Sequence, residues 1–149
     1  MAPQNRKPVY VLNGPNLNRL GAREVAVYGK TTLAEIEKSL ANLAQALRLS
    51  LVCRQSNHEG DLIDWIQEAD KKASALILNP GGYSHTSVAI RDALAALSIP
   101  AVEVHLTNIF AREKFRQTSL MSPVVSGVIA GLGPKGYELA LEAVAAKLT

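Results

Sequence analysis

Short runs of apolar residues alternate along the chain with longer stretches in which apolar residues recur every three or four positions. The short runs, rich in Val, Leu and Ile, predict strands at residues 9–12, 51–54, 75–78, 101–106 and 124–129. The longer stretches predict helices at residues 32–47, 59–73, 87–97 and 134–147. Strands that alternate with helices in this way are typical of a parallel sheet that is covered on both faces.

Polar residues mark the starts of several predicted helices. Thr32 and Glu35 have the spacing of a capping box, and Ser56 and Glu59 have the same spacing before the next helix. Pro134 stands in the first turn of the last helix, a position that proline favours. The pattern as a whole predicts an α/β chain with a flavodoxin-like, doubly wound, five-stranded parallel sheet and helices on both faces, formed by a single domain over residues 1–149.

The loops at one edge of the predicted sheet hold most of the unusual chemistry. Ligands of such sheets bind beyond the carboxyl ends of the strands, so the loops after Leu12, Leu78 and Leu106 are the candidates. The first loop, residues 13–29, is far longer than the usual βα connection of about 2–6 residues, and such length is typical of a lid or a disordered segment. The loop at residues 79–87 contains a glycine pair that would let a ligand approach the backbone closely.

Composition narrows the class of protein further. The chain has 149 residues, of which 48% are hydrophobic and 19% charged, as expected for a globular chain with one core. The net charge of +3 is scattered, with no basic run interleaved with aromatics, which argues against a nucleic-acid partner. No run approaches the roughly 20 apolar residues of a membrane span.

The first seven residues and the cysteine content predict the cellular compartment of the protein. Residues 1–7 are polar, without the apolar stretch of a secretory signal, and we expect them to form a flexible tail. The single cysteine, Cys53, excludes an internal disulfide. Both features favour a cytoplasmic location, where thiols stay reduced.

Several side chains in the three loops are candidates for chemistry. Glu103 and His105 alternate to the same face of a predicted strand, so the carboxylate could orient the imidazole. Tyr28 on its own is more often a packing residue, and Arg112 and Arg116, one helical turn apart, are more often a solvated surface. Their common placement at one sheet edge is what favours a functional interpretation.

Five motifs then occur in a fixed order along the chain. They are Asn-Gly-Pro-Asn-Leu-Asn-Arg-Leu-Gly at 13–21, Arg-Glu-x-x-x-Tyr-Gly at 23–29, Gln-Ser-Asn-His-Glu-Gly at 55–60, Asn-Pro-Gly-Gly at 79–82 and Glu-Val-His-Leu at 103–106. In this combination the chain resembles the type II dehydroquinases over about residues 9–148. The family usually has proline after the Arg-Glu pair, where this chain has Val25, and this departure bears on the rigidity of the loop that carries Tyr28.

The resemblance implies a cofactor-free lyase that converts 3-dehydroquinate to 3-dehydroshikimate by anti elimination of water through an enol or enolate. It implies that Tyr28 removes the C2 proton and that Arg23, together with Arg19, favours its phenolate. It further implies the remaining catalytic roles: Asn16 helps to hold a water at the enolate oxygen, and His105, steered by Glu103, protonates the departing C1 hydroxyl.

The resemblance also implies how the substrate is held. Asn79 and the main-chain amides of Leu106 and Thr107 would bind the carboxylate, and the ring hydroxyls would be bound by His85, Arg116 and Asp92. Arg112 would belong to a mobile or supporting shell, and no metal ion would take part. Asp92 is expected to reach the active site of an adjacent subunit, within trimers of which four form a homododecamer.

Two questions stay open at the level of the sequence. The same reaction serves shikimate biosynthesis or quinate breakdown, and the sequence does not choose, although biosynthesis is the expectation. A non-catalytic flavodoxin-like module that binds a nucleotide or a flavin is the alternative of a different class. A colourless protein that dehydrates 3-dehydroquinate would decide against the alternative.

Overall fold

One five-stranded sheet organises residues 6–149, which the computed structural model describes. Its strands are β1 (Val9–Asn13), β2 (Leu51–Gln55), β3 (Ala75–Asn79), β4 (Ala101–His105) and β5 (Gly127–Ala130). All neighbouring strands are parallel, in the order β2-β1-β3-β4-β5. The direction of winding reverses between β1 and β3, so the predicted doubly wound α/β fold is confirmed.

Helices cover both faces of the sheet. They are α1 (Val25–Tyr28), α2 (Leu33–Ala46), α3 (Glu59–Lys72), α4 (Val88–Ala95) and α5 (Lys135–Lys147). Val9 and Val11 of β1 pack against α2 and α5, whereas Tyr10 and Leu12 pack against α3 and α4. Every residue of β1 is buried, as expected for an interior strand of a parallel sheet, and each large apolar side chain so buried contributes about 1.5–3 kcal/mol.

The two capping predictions had different outcomes. Thr32 is the N-cap of α2, and its side chain accepts a hydrogen bond from the main-chain N–H of Glu35 at 3.2 Å, as predicted. The second capping box is wrong, because α3 begins after His58, whose side chain makes no capping bond. Ser56 instead accepts from the N–H of His58 and donates to Asp61, which makes a turn before the helix rather than a cap on it.

Two segments differ from the predicted elements. The fifth strand begins at Gly127 and not at residue 124, because Ser122–Val124 forms a 3₁₀ helix that has proline in its first turn. The long loop after β1 is not structureless: it contains the 3₁₀ helix Leu17–Arg19 and the single-turn helix α1. Leu17 is buried and anchors this loop in the core that α2 and α5 cover.

The start of the chain bears on the predicted tail. Residues 1–5 lie outside the described residues. Arg6 donates to the carbonyl oxygen of Leu148 at 3.3 Å and Lys7 donates to that of Lys71 at 2.8 Å, so these two residues lie against the fold. Within residues 6–149, no helix is both long enough and apolar enough to cross a membrane.

Candidate active site

Three loops meet beyond the carboxyl ends of β1, β3 and β4, on either side of the point where the winding reverses. A Cβ atom at Gly14 would lie 2.5 Å from the carbonyl oxygen of Pro80, so only glycine lets the first and second of these loops touch. The main-chain N–H of Gly14 donates to the carbonyl oxygen of Asn79 at 2.8 Å and ties the loops together. A cavity of about 210 Å³ lies between them.

Most of the residues that the sequence singled out line this cavity. They are Asn16, Arg23, Tyr28, Asn79, His85, His105, Leu106, Thr107, Arg112 and Arg116. Gly81 and Gly82, the glycine pair expected to let a ligand approach the backbone, also line the cavity, and Pro15, Leu17 and Ile109, for which the sequence predicted no role, complete the wall. Glu103, Arg19 and Asp92 do not line it. Glu103 lies behind His105, Arg19 is exposed on the first loop, and the side chain of Asp92 is 70% exposed on α4.

Two guanidinium groups contact Tyr28, each in a different way. Arg112 donates from Nη1 to the phenol oxygen at 2.9 Å. Arg23 stacks over the ring, with its Cζ 4.3 Å from the ring centroid, and it also pairs with Glu24 at 3.3 Å. Arg23 therefore lies over the ring of Tyr28, and Arg19 does not line the cavity. Arg112, for which the resemblance implied a mobile or supporting shell, is the arginine that donates to the phenol oxygen.

Glu103 and His105 form a buried pair at the end of β4. The imidazole Nε2 of His105 hydrogen-bonds to Oε2 of Glu103, as the alternation of side chains along the strand predicts. The same Oε2 also accepts from the hydroxyl of Ser119 at 2.6 Å, and Oε1 accepts from the hydroxyl of Ser122 at 2.7 Å. Three donors therefore surround a carboxylate that is fully buried.

The charge state of Glu103 follows from these contacts. Burial by itself raises the pKa of the carboxyl, but the hydrogen bonds from His105, Ser119 and Ser122 outweigh it and hold the pKa below its usual value. Glu103 is therefore ionised, and it fixes the imidazole with Nε2 towards the carboxylate. The other ring nitrogen, Nδ1, is left for a ligand in the cavity.

His85 and Arg116 also line the cavity. Nδ1 of His85 lies 2.8 Å from the carbonyl oxygen of Thr118, so Nδ1 carries the proton and Nε2 can accept from a ligand hydroxyl. Arg116 pairs with Glu113 through its Nε. The contact with Arg116 holds the pKa of Glu113 below its usual value, and the terminal guanidinium nitrogens of Arg116 remain for a ligand.

Neighbouring side chains position the first loop around Asn16. Asn16 has a left-handed backbone, with φ of 68°, a conformation that asparagine tolerates better than most residues. Its main-chain N–H donates to Oδ1 of Asn57 at 3.0 Å, and Gln55 donates both to that oxygen and to the carbonyl oxygen of Gly14. Residues at the end of β2 thus support the loop from the adjacent strand.

Asn79 takes part in a buried hydrogen-bond network behind the cavity. Its Nδ2 donates to the hydroxyl of Tyr137 at 2.9 Å, and that hydroxyl donates to Oδ1 of Asn13 at 2.5 Å. Oδ1 of Asn79 accepts from the main-chain N–H of Gly81 at 3.1 Å. The amide of Asn79 is therefore held at both of its ends.

Comparison with known proteins places this arrangement in a family. The family model described as dehydroquinase class II matches residues 7–145. The chain belongs to the class II dehydroquinases. A 3-dehydroquinate dehydratase of Chelativorans sp. is 57% identical over 143 residues, which are 95% of this chain and 99% of that protein.

Solved structures of the family share the fold. The type II dehydroquinase of Propionibacterium acnes superposes with a TM-score of 0.91 at 46% identity, over 94% of this chain and 97% of that chain. A 3-dehydroquinate dehydratase-like protein of Bifidobacterium longum has a TM-score of 0.73 at 32% identity, over 96% of this chain and 98% of that chain. The predicted membership of the type II dehydroquinases is confirmed.

The sequence did not single out Ser119, Ser122 or Tyr137, which contact Glu103 and Asn79, and it gave no role to Asn57, which lies in the motif at 55–60. A signal existed for the two serines, because a carboxylate inside a buried strand must find donors nearby. A signal also existed for Tyr137, since a phenol on the apolar side of a buried helix normally finds a partner for its hydroxyl. Neither signal says which residues are the partners.

Proposed function

We propose that this class II dehydroquinase dehydrates 3-dehydroquinate to 3-dehydroshikimate in the cavity at the carboxyl edge of its sheet, with Tyr28 as the base and His105 as the acid. The observation that carries the proposal is that Tyr28, Arg112 and His105 line one small cavity. The similarity to 3-dehydroquinate dehydratases and the polar character of these residues both disfavour a flavin- or nucleotide-binding module. Shikimate biosynthesis is the role we propose for the reaction.

In the proposed mechanism, Tyr28 removes the proton from C2 of the substrate. Its oxygen accepts a hydrogen bond from Arg112, and the guanidinium of Arg23 lies over its ring, so two cations adjoin the negative charge of a phenolate. The phenolate takes the C2 proton, and the electron pair of that C–H bond passes into the enolate. Asn16 stands in the same wall, where it would help to hold a water at the enolate oxygen.

In the proposed mechanism, His105 protonates the hydroxyl that leaves C1. In the imidazolium form its Nε2–H donates to Glu103, and its Nδ1–H is the proton that can be given to a ligand. As the enolate collapses, the C1–O bond breaks and Nδ1 supplies the proton, so the leaving group departs as water. Because Glu103 is buried and hydrogen-bonded to Nε2, it fixes the orientation of the imidazole.

The remaining residues of the cavity would hold the substrate. Asn79, Leu106 and Thr107 line the cavity, and the amide of Asn79 with the main chain of the other two would bind the carboxylate. His85 presents Nε2, and Arg116 presents donors, to the ring hydroxyls. No group of three His, Cys, Asp or Glu side chains suited to a metal ion occurs in residues 6–149, and the proposed mechanism routes no step through a metal.

The proposal includes a contribution from a second copy of the chain. Asp92 lies outside its own cavity, and one turn before it on α4 the side chain of Val88 is 59% exposed. We propose that another copy of the chain covers this part of α4, which would bring Asp92 to the ring hydroxyls of the neighbouring cavity. Trimers, four of which form a dodecamer, are the assembly we propose.

The reaction is tested by adding 3-dehydroquinate to the purified chain and following the absorbance of the conjugated enone. We expect turnover that EDTA does not reduce, and no inactivation by borohydride in the presence of substrate. A folded chain that forms no enone would contradict the proposed function. A reduced substrate adduct on any lysine, found by mass spectrometry, would replace the phenolate mechanism with an imine mechanism.

A further inference from the structure

The hydroxyl of Tyr137 connects α5 to Asn79, which lines the cavity at the carboxyl edge of the sheet. Tyr137 is fully buried on α5, and Asn79, its partner, is 58 residues away in the sequence. We propose that Tyr137 is a positioning residue for substrate binding, whose hydroxyl fixes the orientation of the Asn79 amide in the cavity. This inference rests on the proposed function, in which Asn79 binds the substrate carboxylate.

The direction of each hydrogen bond follows from the number of protons available. The hydroxyl of Tyr137 has one hydrogen, which points to Oδ1 of Asn13, so its oxygen must accept from Asn79. Only the Nδ2 end of the Asn79 amide can therefore face Tyr137, and the Oδ1 end faces the N–H of Gly81. Burial raises the pKa of the Tyr137 hydroxyl, so the proton on which this order depends is retained.

This orientation provides a donor for the substrate. An amide nitrogen carries two hydrogens, and Tyr137 takes one of them, so the second is left for a carboxylate oxygen in the cavity. If the amide turned over, the carbonyl oxygen of Asn79 would stand in that place and would repel a carboxylate. Successive hydrogen bonds in the network also polarise one another, which strengthens the fixed order.

Stability alone does not explain why the network is polar. Nδ2 of Asn13 is buried and has no hydrogen-bond partner among residues 6–149, which costs free energy in the folded state. Apolar side chains of similar size at Asn13, Asn79 and Tyr137 would pack in the core without that cost. The polar network therefore lowers the stability of the core. Its benefit is in function, at Asn79, the member of the network that lines the cavity.

The test compares Tyr137→Phe with Tyr10→Phe, a matched loss of a tyrosine hydroxyl on the other face of the sheet. The Tyr10 hydroxyl donates to Glu68 at 2.5 Å and has no contact with Asn79. For Tyr137→Phe we expect KM for 3-dehydroquinate to rise about tenfold, a typical effect of freeing one buried hydrogen-bonded group, with kcat within about threefold. For Tyr10→Phe we expect KM to be unchanged, whatever the loss in Tm.

A double-mutant cycle decides whether Tyr137 acts through Asn79. In an Asn79→Ala background, Tyr137→Phe should raise KM no further, because the amide that it positions is gone. Additive effects of the two changes, an unchanged KM in Tyr137→Phe, or an equal rise of KM in Tyr10→Phe would each overturn the inference. If the wild-type protein dehydrates 3-dehydroquinate but any of these results is found, only the inference on Tyr137 is wrong and the proposed function is unaffected.

Asn13→Ala provides a second variant if Tyr137→Phe fails to fold. It removes the acceptor of the Tyr137 proton and leaves the phenol ring in the core. That proton must then turn to Asn79, the other partner of the hydroxyl among residues 6–149, and it competes there with the order that the N–H of Gly81 favours. We expect KM to rise in the same direction, and an Asn13→Ala protein with wild-type KM would overturn the inference.

Discussion

The two arginines at Tyr28 differ in the part of the side chain that they touch. Arg23 lies five positions before Tyr28, and from the sequence it is the obvious neighbour for the phenol. Arg112 is 84 residues away, and it is nevertheless the one whose guanidinium donates to the oxygen. A contact across that separation depends on how the loop after β4 folds back over α1, and no local pattern encodes it.

Arg112→Met tests the role of this contact. A hydrogen bond to a charged group contributes about 1.5–3 kcal/mol, so losing it where charge develops should lower kcat by about one to two orders of magnitude. Arg19→Met is the control, because Arg19 is exposed and outside the cavity, and its kcat should stay within about threefold. Equal losses in the two variants, measured by the enone assay, would contradict the assignment of Arg112.

The carboxylate of Glu103 makes a prediction about acid stability. Its folded-state pKa lies below the ordinary value, so it contributes stability that is present above pH ~4.5 and is lost as the pH falls through the folded-state pKa. In Glu103→Gln that contribution is absent at every pH. The difference in the free energy of unfolding between wild type and variant, from urea titrations, should be larger at pH 7 than at pH 4. A difference that grows towards low pH would show that Glu103 is not held ionised.

Whether the sequence predicts the contacts of a side chain depends on how far apart the two partners lie along the chain. The pairing of Glu103 with His105 follows from two-residue alternation within a strand, and it was predicted. The serines that complete the shell, Ser119 and Ser122, lie 16 and 19 residues further on, in a segment without periodicity. The partners of Tyr137 lie on two other strands, so only the tertiary fold identifies them.

Among the helices, the long ones were predictable and the shortest were not. Repeated apolar spacing defines α2, α3 and α5 to within a residue or two. The single turn α1 has too few residues to show any periodicity. The apolar residues that precede β5 resemble the start of a strand, but Val124 belongs to a 3₁₀ helix. Val25, where the family usually has proline, is the first residue of α1, a position where proline would also fit a helix.

The cap on α2 gives a prediction for this helix. Thr32→Ala removes the side-chain oxygen that accepts from Glu35, and loss of such a cap costs about 0.5–2 kcal/mol. Thr31→Ala is the matched control, since Thr31 precedes the cap and stands outside the helix. We expect urea unfolding to show the loss only in Thr32→Ala, with kcat unchanged in both variants. Equal stability of the two variants would show that the cap does not support α2.

In the molecule as a whole, the sheet order explains why distant motifs meet. Parallel strands end at the same edge, so motifs that follow β1, β3 and β4 had to converge, and the sequence was enough to predict this. Asp92 is different, because it follows no strand and its side chain is exposed. The role proposed for Asp92, in the cavity of another copy, would leave no mark in the pattern that buries a chain's own core.

Complementation between subunits tests the proposed place of Asp92. Asp92→Ala should raise KM, and Tyr28→Phe should abolish turnover. When the two inactive or weakened proteins are dissociated and reassembled together, some cavities should combine an intact Tyr28 with an intact Asp92 from different chains. Recovered activity above the sum of the separate proteins is the expected result. A fully active wild-type monomer in light scattering would contradict the shared site.

The base assignment is decided by the kinetics of Tyr28→Phe, with Tyr10→Phe as the matched control for loss of a hydroxyl. General base catalysis typically supplies a factor of about 10²–10⁴, so kcat of Tyr28→Phe should fall at least about a hundredfold while KM changes little. Circular dichroism should show an unchanged fold, because the Tyr28 ring stays in place. A folded Tyr28→Phe protein that keeps more than about a tenth of the wild-type kcat would contradict the mechanism.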